Sequence, residues 1–165
     1  MKNINKVVVP IIVALVSILC NQSNNFCQAK TVVADKYKSI YNSNSKIAKG
    51  SSFYYEHYAM GSTLKNEVKV NIEGFYGEDD LWTLNSTKNG QVKLNYSCKM
   101  NKGKFKIVLV STGGSVKTLV NNPNKGNVKL MVKKGKSRIV MVGYNASGDV
   151  DISIKNIKDV NIQQK

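Results

Sequence analysis

Apolar and polar residues alternate with a period of two over much of the chain after residue 53. Residues 68–73, 128–132 and 150–154 show this alternation, which places their apolar side chains on one side of an extended chain. Residues 105–110 and 138–142 are instead apolar on both sides, as in central strands that are covered on both faces. The pattern predicts an all-β domain in which these last two segments anchor the core.

Turn-forming residues separate the predicted strands at intervals of roughly ten residues. The turn signals are Asn89-Gly90, Lys102-Gly103, Gly113-Gly114, Lys125-Gly126, Lys134-Gly135 and Ser147-Gly148. Short strands at this spacing are typical of antiparallel sandwiches and barrels, whereas parallel βαβ units need long crossovers. We therefore predict a jelly-roll-like, antiparallel two-sheet β-sandwich of about eight strands over residues 51–157, followed by a tail at 158–165. A domain of this length can bury a core without disulfides.

The N-terminus has the order of charges and apolar residues that is typical of a secretion signal. Lys2 and Lys6 precede an apolar run at residues 7–20, and this run is shorter than the roughly 18 residues that a membrane-spanning helix needs. Ala29 fits the small residue required before the cleavage site, and Ala34 is the alternative. We predict a signal peptide at residues 1–29 and a secreted or cell-surface protein.

Residues 30–50 are polar and rich in Asn, Ser and Lys, which predicts a flexible tether. Tyr37, Ile40 and Tyr41 have helical spacing, so a short amphipathic helix is the alternative. Cys20 closes the apolar run as a lipid-modified cysteine would, but the bulky residue before it does not fit a lipoprotein signal. Simple secretion is therefore the prediction.

The chain carries a formal net charge of +15, and removing residues 1–29 takes away Lys2 and Lys6 and leaves +13. Every basic residue except Arg138 is a lysine. Such a charge predicts peripheral association with anionic wall polymers or membrane surfaces that weakens as salt rises. Specific nucleic-acid recognition would favour arginines and stacking aromatics, so it is not predicted. An AT-rich genome is the alternative explanation for the many lysines and asparagines.

The residues needed for catalysis are scarce. His57 is the only histidine, and Cys98 is the only cysteine that remains after cleavage at Ala29. Cys98 lies at an apolar position of an alternating segment, which predicts a buried, unreactive thiol. No nucleophile and base can be paired, and the three or four ligands of a zinc site are missing. The sequence predicts no enzyme, no cofactor and no metal.

Aromatic and acidic residues supply the candidate ligand site. The acidic cluster at residues 78–80 is flanked by Tyr76 and Trp82, and oxygen-rich loops can hold calcium while rings beside carboxylates can stack on sugars. Tyr54 and Tyr58 share one face if the strand alternates regularly. The predicted ligand-binding residues are Tyr54, Tyr58, Tyr76 and Trp82. Core and turn packing is the alternative explanation for these residues.

Residues 126–154 consist of a strand, a Lys-Gly turn, a long apolar strand that ends in Gly-Tyr, a Gly turn and a last strand. With the hairpin at 103–120, this stretch resembles small secreted jelly-roll modules of Gram-positive bacteria. It is similar to pre-peptidase C-terminal domains and clostridial collagen-binding modules. The resemblance implies a non-catalytic module, and some of those families bind calcium or matrix polymers. The aspartate-rich calcium motif expected at the start of such a module is absent here.

Together these features predict a monomeric, secreted module that binds a polysaccharide, a wall polymer or a matrix protein. The alternative is a structural or accessory surface protein without a specific ligand. An enzyme with an unfamiliar site is the third and weakest hypothesis.

Overall fold

The computed structural model describes residues 36–50, 52–122 and 124–165. The predicted signal peptide and both cleavage sites lie outside these residues. Within them, residues 36–41 are helical, and one further short helix and eight strands follow. These elements are α1 (Asn44–Lys49), β1 (Ser52–Tyr54), β2 (His57–Leu64), β3 (Glu67–Ser86), β4 (Gly90–Val110), β5 (Val116–Asn121), β6 (Lys125–Val132), β7 (Gly135–Lys158) and β8 (Asn161–Gln164). Every strand pair is antiparallel, which confirms the predicted all-β class.

Three long strands, β3, β4 and β7, form the middle of the sheet, with β7 between the other two. Each of them bends at about the same level, where the pairing registers shift. These shifts lie around residues 72–77 of β3 and 100–104 of β4. Residues with positive φ mark these bends: Gly74, Gly77, Gly103, Asn145 and Gly148. The strand pairing therefore continues around a corner, and each long strand contributes to two layers.

The first layer, which we call layer A, contains β6, the first half of β4, the second half of β7, the first half of β3, and β2. The second, layer B, contains β5, the second half of β4, the first half of β7, the second half of β3, and both β1 and β8. Apolar side chains from both layers form one main core, including Val70, Leu94, Ile107 and Ile152. This is the predicted jelly-roll-like sandwich.

A second core lies on the outer face of layer B. Val108 of β4 and Val140 of β7 face it, whereas their neighbours Ile107 and Ile139 face the main core. This explains why residues 105–110 and 138–142 are apolar on both sides. The cover is supplied by the helical segment before β1, whose Ile47 is fully buried.

The described part of this segment, residues 36–50, therefore differs from the tether expected for residues 30–50. Ile40 and Tyr41 are buried in the second core, as the alternative of an amphipathic helix predicts. Lys106 Nζ donates a hydrogen bond to the Tyr41 carbonyl at 2.7 Å, and Arg138 Nη2 donates to the Ala48 carbonyl at 2.9 Å. The apolar outer face of layer B needs a cover, and these residues supply it.

The C-terminus also differs from the tail expected at 158–165. β8 pairs with residues 82–85 of β3, and its Ile162 is buried in the main core. This segment alternates between polar and apolar residues, and it forms an edge strand because residues 82–85 of β3 have no other partner on that edge.

Candidate functional site

In layer B, one edge of β3 is occupied by two different strands with a gap between them. β1 pairs with residues 76–78, and β8 pairs with residues 82–85. Residues 79–81 lie between these two pairings. Because both short strands stop at this gap, the side of the sandwich opens there.

A cleft of about 430 Å³ lies at this gap. We call it the edge cleft. It is lined by Phe53, Tyr58, Met60, Val68, Asp79, Asp80, Leu81, Met141, Gln164 and Lys165. Strands from both layers thus contribute to one concave surface that combines aromatic, aliphatic, carboxylate and amide groups.

Two aromatic rings of the edge cleft are partly exposed. Phe53 is 40% exposed and Tyr58 is 37% exposed, although both belong to an aromatic cluster. The ring of Tyr55 is the centre of this cluster, at 5.4 Å from Phe53 and 4.9 Å from Tyr58. Tyr55 in turn stacks on the buried ring of Phe75 at 4.6 Å. The two exposed rings are therefore held by aromatic contacts to the main core, rather than projecting as single flexible side chains.

Asp79 places a carboxylate beside these rings. Its Oδ2 accepts a hydrogen bond from the Tyr55 hydroxyl at 3.0 Å. Burial raises the pKa of Asp79, while the Tyr55 hydrogen bond and the charge of Lys165 act in the opposite direction. Burial, and then the charge of Asp79, raises the pKa of Tyr58. The cleft thus holds a fixed acceptor next to a tyrosine hydroxyl that keeps its proton.

The acidic cluster at residues 78–80 is part of β3 and not a loop. Because successive side chains of a strand point to opposite faces, Asp79 faces the edge cleft while Glu78 points toward the second core. Asp80 pairs with Arg138. Among the described residues no group of three or more His, Cys, Asp or Glu side chains could hold a metal ion. The cluster is divided between two environments and does not converge on one ligand.

Glu78 is fully buried. Its Oε1 accepts a hydrogen bond from the Ser52 backbone amide at 3.2 Å, and its Oε2 has no hydrogen-bond partner among the described residues. The pKa of Glu78 is raised to about 7, mainly by burial and then by the charge of Asp80, against the lowering effect of Arg138. The position tolerates a carboxyl group, but favours its neutral form.

The four predicted ligand-binding residues do not form one site. Tyr58 lies in the edge cleft, whereas Tyr54 lies directly opposite Tyr76 in the β1–β3 pair. Tyr76 also contacts Tyr144 edge-to-face at 5.7 Å. We call Tyr54, Tyr76 and Tyr144 the tyrosine group; all three are half-buried.

The prediction that Tyr54 and Tyr58 share a face is wrong, because the strand does not alternate regularly between them. β1 ends at Tyr54 and β2 begins at His57, so the chain is irregular at residues 55 and 56. Tyr58 consequently comes next to Phe53 and Tyr55 instead of Tyr54.

The prediction that Trp82 binds a ligand requires a correction. Its side chain is fully buried in the main core, and its Nε1 donates a hydrogen bond to the Lys65 carbonyl at 3.2 Å. A fully buried ring cannot stack on a ligand. Trp82 is a structural residue, in agreement with the alternative explanation that it packs in the core.

Sequence reasoning missed Phe53 and Gln164 as cleft residues. Phe53 could have been found, because it is adjacent in sequence to the predicted Tyr54. Which aromatic residues of that segment face the edge cleft depends on a single irregularity in the strand. No sequence pattern pointed to Gln164, since the residues around it do not show that the C-terminal strand pairs beside the gap in β3.

The sequence matches no protein-family model and no curated protein sequence. Among solved structures, the chain is similar to an exo-β-1,3-galactanase from Phanerochaete chrysosporium, with 17% identity and a TM-score of 0.37. That match covers 64% of this chain and 29% of the galactanase chain. It is also similar to the carbohydrate-binding module TmCBM61, solved in complex with β-1,4-galactotriose, with 14% identity, a TM-score of 0.33, and coverage of 76% of this chain and 98% of that one.

The described residues include no helix that is long and apolar enough to cross a membrane.

Proposed function

We propose that this protein is an exported, non-catalytic β-sandwich module that binds an extracellular or cell-surface polysaccharide in the edge cleft. The observation that carries the proposal is the pair of partly exposed rings, Phe53 and Tyr58, fixed beside the carboxylate of Asp79. A sugar ring offers both an apolar C–H face and a rim of hydroxyl groups, and the cleft has a partner for each.

The apolar part of the match comes from the rings. Aromatic side chains combine a large apolar surface with a defined orientation. Because contacts with Tyr55 already restrict these two rings, they lose less conformational entropy when a ligand binds. Met60, which is 60% exposed, extends the apolar surface along β2.

The polar part comes from Asp79 and Gln164. An ionised carboxylate only accepts hydrogen bonds, whereas an amide both donates and accepts, so together they can pair with hydroxyl groups of either orientation. Asp80, the other carboxylate that lines the edge cleft, is held in an ion pair with Arg138, so it is not free to form with Asp79 the carboxylate pair that a glycosidase uses. This arrangement suits binding better than bond cleavage.

The proposed location at the cell surface rests on the signal sequence predicted for residues 1–29. A matrix protein, which the resemblance to collagen-binding modules suggests, is the competing ligand. An accessory role without any ligand is the other alternative, and it is favoured by the fact that Tyr55 and its neighbours also cover the edge of the main core through Phe75.

The test is binding of the purified protein to immobilised neutral polysaccharides, including glucans and galactans, and to collagen, at low and at high salt. We expect one polysaccharide to retain the protein at high salt, because contacts to rings are not screened as surface charges are. Phe53→Ala and Tyr58→Ala should each weaken that binding by about tenfold or more, the equivalent of roughly 1.4 kcal/mol.

The matched control is Leu64→Ala, which removes a side chain that is 62% exposed and lies outside the edge cleft. It should leave binding unchanged, and circular dichroism should show that all three variants are folded. Retention by collagen alone, or polysaccharide binding that survives both ring substitutions, would refute the proposed site. Absence of binding to every matrix would favour the accessory role.

A further inference from the structure

Three lysines from three adjacent strands stand side by side on the outer face of layer A. In the strand registers Lys93 of β4 lies directly opposite Lys129 of β6 on one side and Lys155 of β7 on the other. The inward-facing neighbours in these strands, such as Leu94 and Ile154, are buried in the main core. The three lysines therefore point away from the core, and we call them the lysine row.

No acidic residue neighbours the lysine row along its own three strands, and on the adjoining β3 the carboxylate of Glu67, which lies opposite Ser153, is paired with Lys69. The positions two residues before and after each lysine are occupied by Gln91, Asn95, Asn127, Met131, Ser153 and Ile157. None of the described side chains forms an ion pair with Lys93, Lys129 or Lys155. The positive charge of the row is thus not compensated within the protein.

Other cations on this face do have partners. Lys69 of β3 lies 2.9 Å from a Glu67 carboxylate oxygen and 3.6 Å from one of Asp151, which belongs to the opposite strand. Like charges directly opposite each other destabilise a sheet, whereas opposite charges stabilise it. The same sheet face therefore has complementary charges at one end and a row of like charges at the other.

We propose that the lysine row binds the phosphate groups of an anionic, hydroxyl-rich extracellular polymer. Neighbouring strands lie about 4.8 Å apart, so the three lysines occupy a line of about 10 Å across the strands, along which a linear polymer can lie. Lysine is a compact point charge with three donors, and it is a common ligand of phosphate oxygens.

The neighbouring residues favour a polymer over the other anions in a cell envelope. Asn95 and Asn127 lie opposite each other in the adjacent row and can bond to hydroxyl groups. None of the six neighbours is aromatic, so the row has no platform for stacking nucleobases. The lysine row shares no residue with the edge cleft, and this proposal does not depend on the proposed function.

The experiment measures binding of the full chain to soluble inorganic polyphosphate and to a glycerol-phosphate polymer over a range of salt concentrations. The triple variant Lys93→Gln, Lys129→Gln, Lys155→Gln should lose about tenfold or more in affinity and show a shallower salt dependence, because fewer counterions are released on binding. The control is a second triple variant, Lys49→Gln, Lys102→Gln, Lys117→Gln, which loses the same charge at exposed positions elsewhere. It should lose less than about threefold, since only the overall field changes.

Equal loss in the two triple variants would overturn the proposal, because it would show that net charge alone attracts the polymer. Binding to phosphatidylglycerol vesicles or to duplex DNA that the row variant abolishes, without binding to either phosphate polymer, would also overturn it and would assign the row to a membrane or to nucleic acid. Phe53→Ala and Tyr58→Ala should leave phosphate-polymer binding unchanged, so failure of the edge-cleft proposal can be recognised separately. Removing the opposed lysines should not lower the melting temperature, which checks that the row variant is folded.

Discussion

Glu78 gives the most direct test of the buried charges in this fold. Its side chain is fully buried behind β1, and its pKa is raised from 4.5 to about 7, first by burial and then by Asp80, against the effect of Arg138. The variant Glu78→Gln keeps the size of the side chain and the acceptor for the Ser52 amide, but removes the ionisation.

The size of the effect follows from the two pKa values. Between about pH 4.5 and 7 the folded protein holds a proton on Glu78 that the unfolded chain has released, so the folded state binds more protons. The stability that this group contributes is therefore fully present below pH 4.5 and is lost as the pH rises through about 7. With roughly 1.4 kcal/mol for each pKa unit, the loss between pH 4 and pH 8 is about 3 kcal/mol.

The assay is urea unfolding of the wild type and of Glu78→Gln at pH 4 and at pH 8, followed by the fluorescence of Trp82, which is the only tryptophan. We expect the difference in unfolding free energy between the two proteins to shift by about 3 kcal/mol in favour of the variant from pH 4 to pH 8. Glu73→Gln, which removes an exposed carboxylate from the same strand, is the control and should show a much smaller shift. If the difference between wild type and Glu78→Gln is the same at both pH values, burial of an ionisable Glu78 is refuted.

Three further predictions concern the two cores. Trp82→Ala should lower the unfolding free energy by about 3–5 kcal/mol, because it removes a large buried side chain and its hydrogen bond to Lys65; a loss under 1 kcal/mol in urea titrations would contradict this. Arg138→Ala should cost about 3–5 kcal/mol, because it leaves the mostly buried Asp80 without its partner, and limited proteolysis should then cut residues 37–50 faster than in the wild type. Burial raises the pKa of Cys98 to about 11, so a thiol reagent should not react at pH 8 until urea unfolds the protein; rapid labelling of the native state would disagree with the structure.

The candidate site could be predicted only in part, and the aromatic residues show why. The sequence places Tyr76 and Trp82 beside an acidic cluster and Tyr54 and Tyr58 near the start of the domain, but one irregularity at residues 55 and 56 decides that Tyr58 joins the edge cleft while Tyr54 joins the tyrosine group. Another break in register, between Asp80 and Trp82, coincides with the burial of two consecutive residues, Leu81 and Trp82. Such irregularities depend on the paired strand and leave no local pattern.

The sequence by itself determined the class of the fold, because alternation with a period of two and turn residues at regular intervals follow from local backbone geometry. It also determined that residues 105–110 and 138–142 are covered on both faces, and that Cys98 is buried. The tertiary structure alone decided what covers the second face, where the edge cleft opens, and that Lys93, Lys129 and Lys155 stand in one row. The physical reason is that alternation tells which side of its own strand a residue occupies, whereas its neighbours are set by pairing between strands that are distant in the chain.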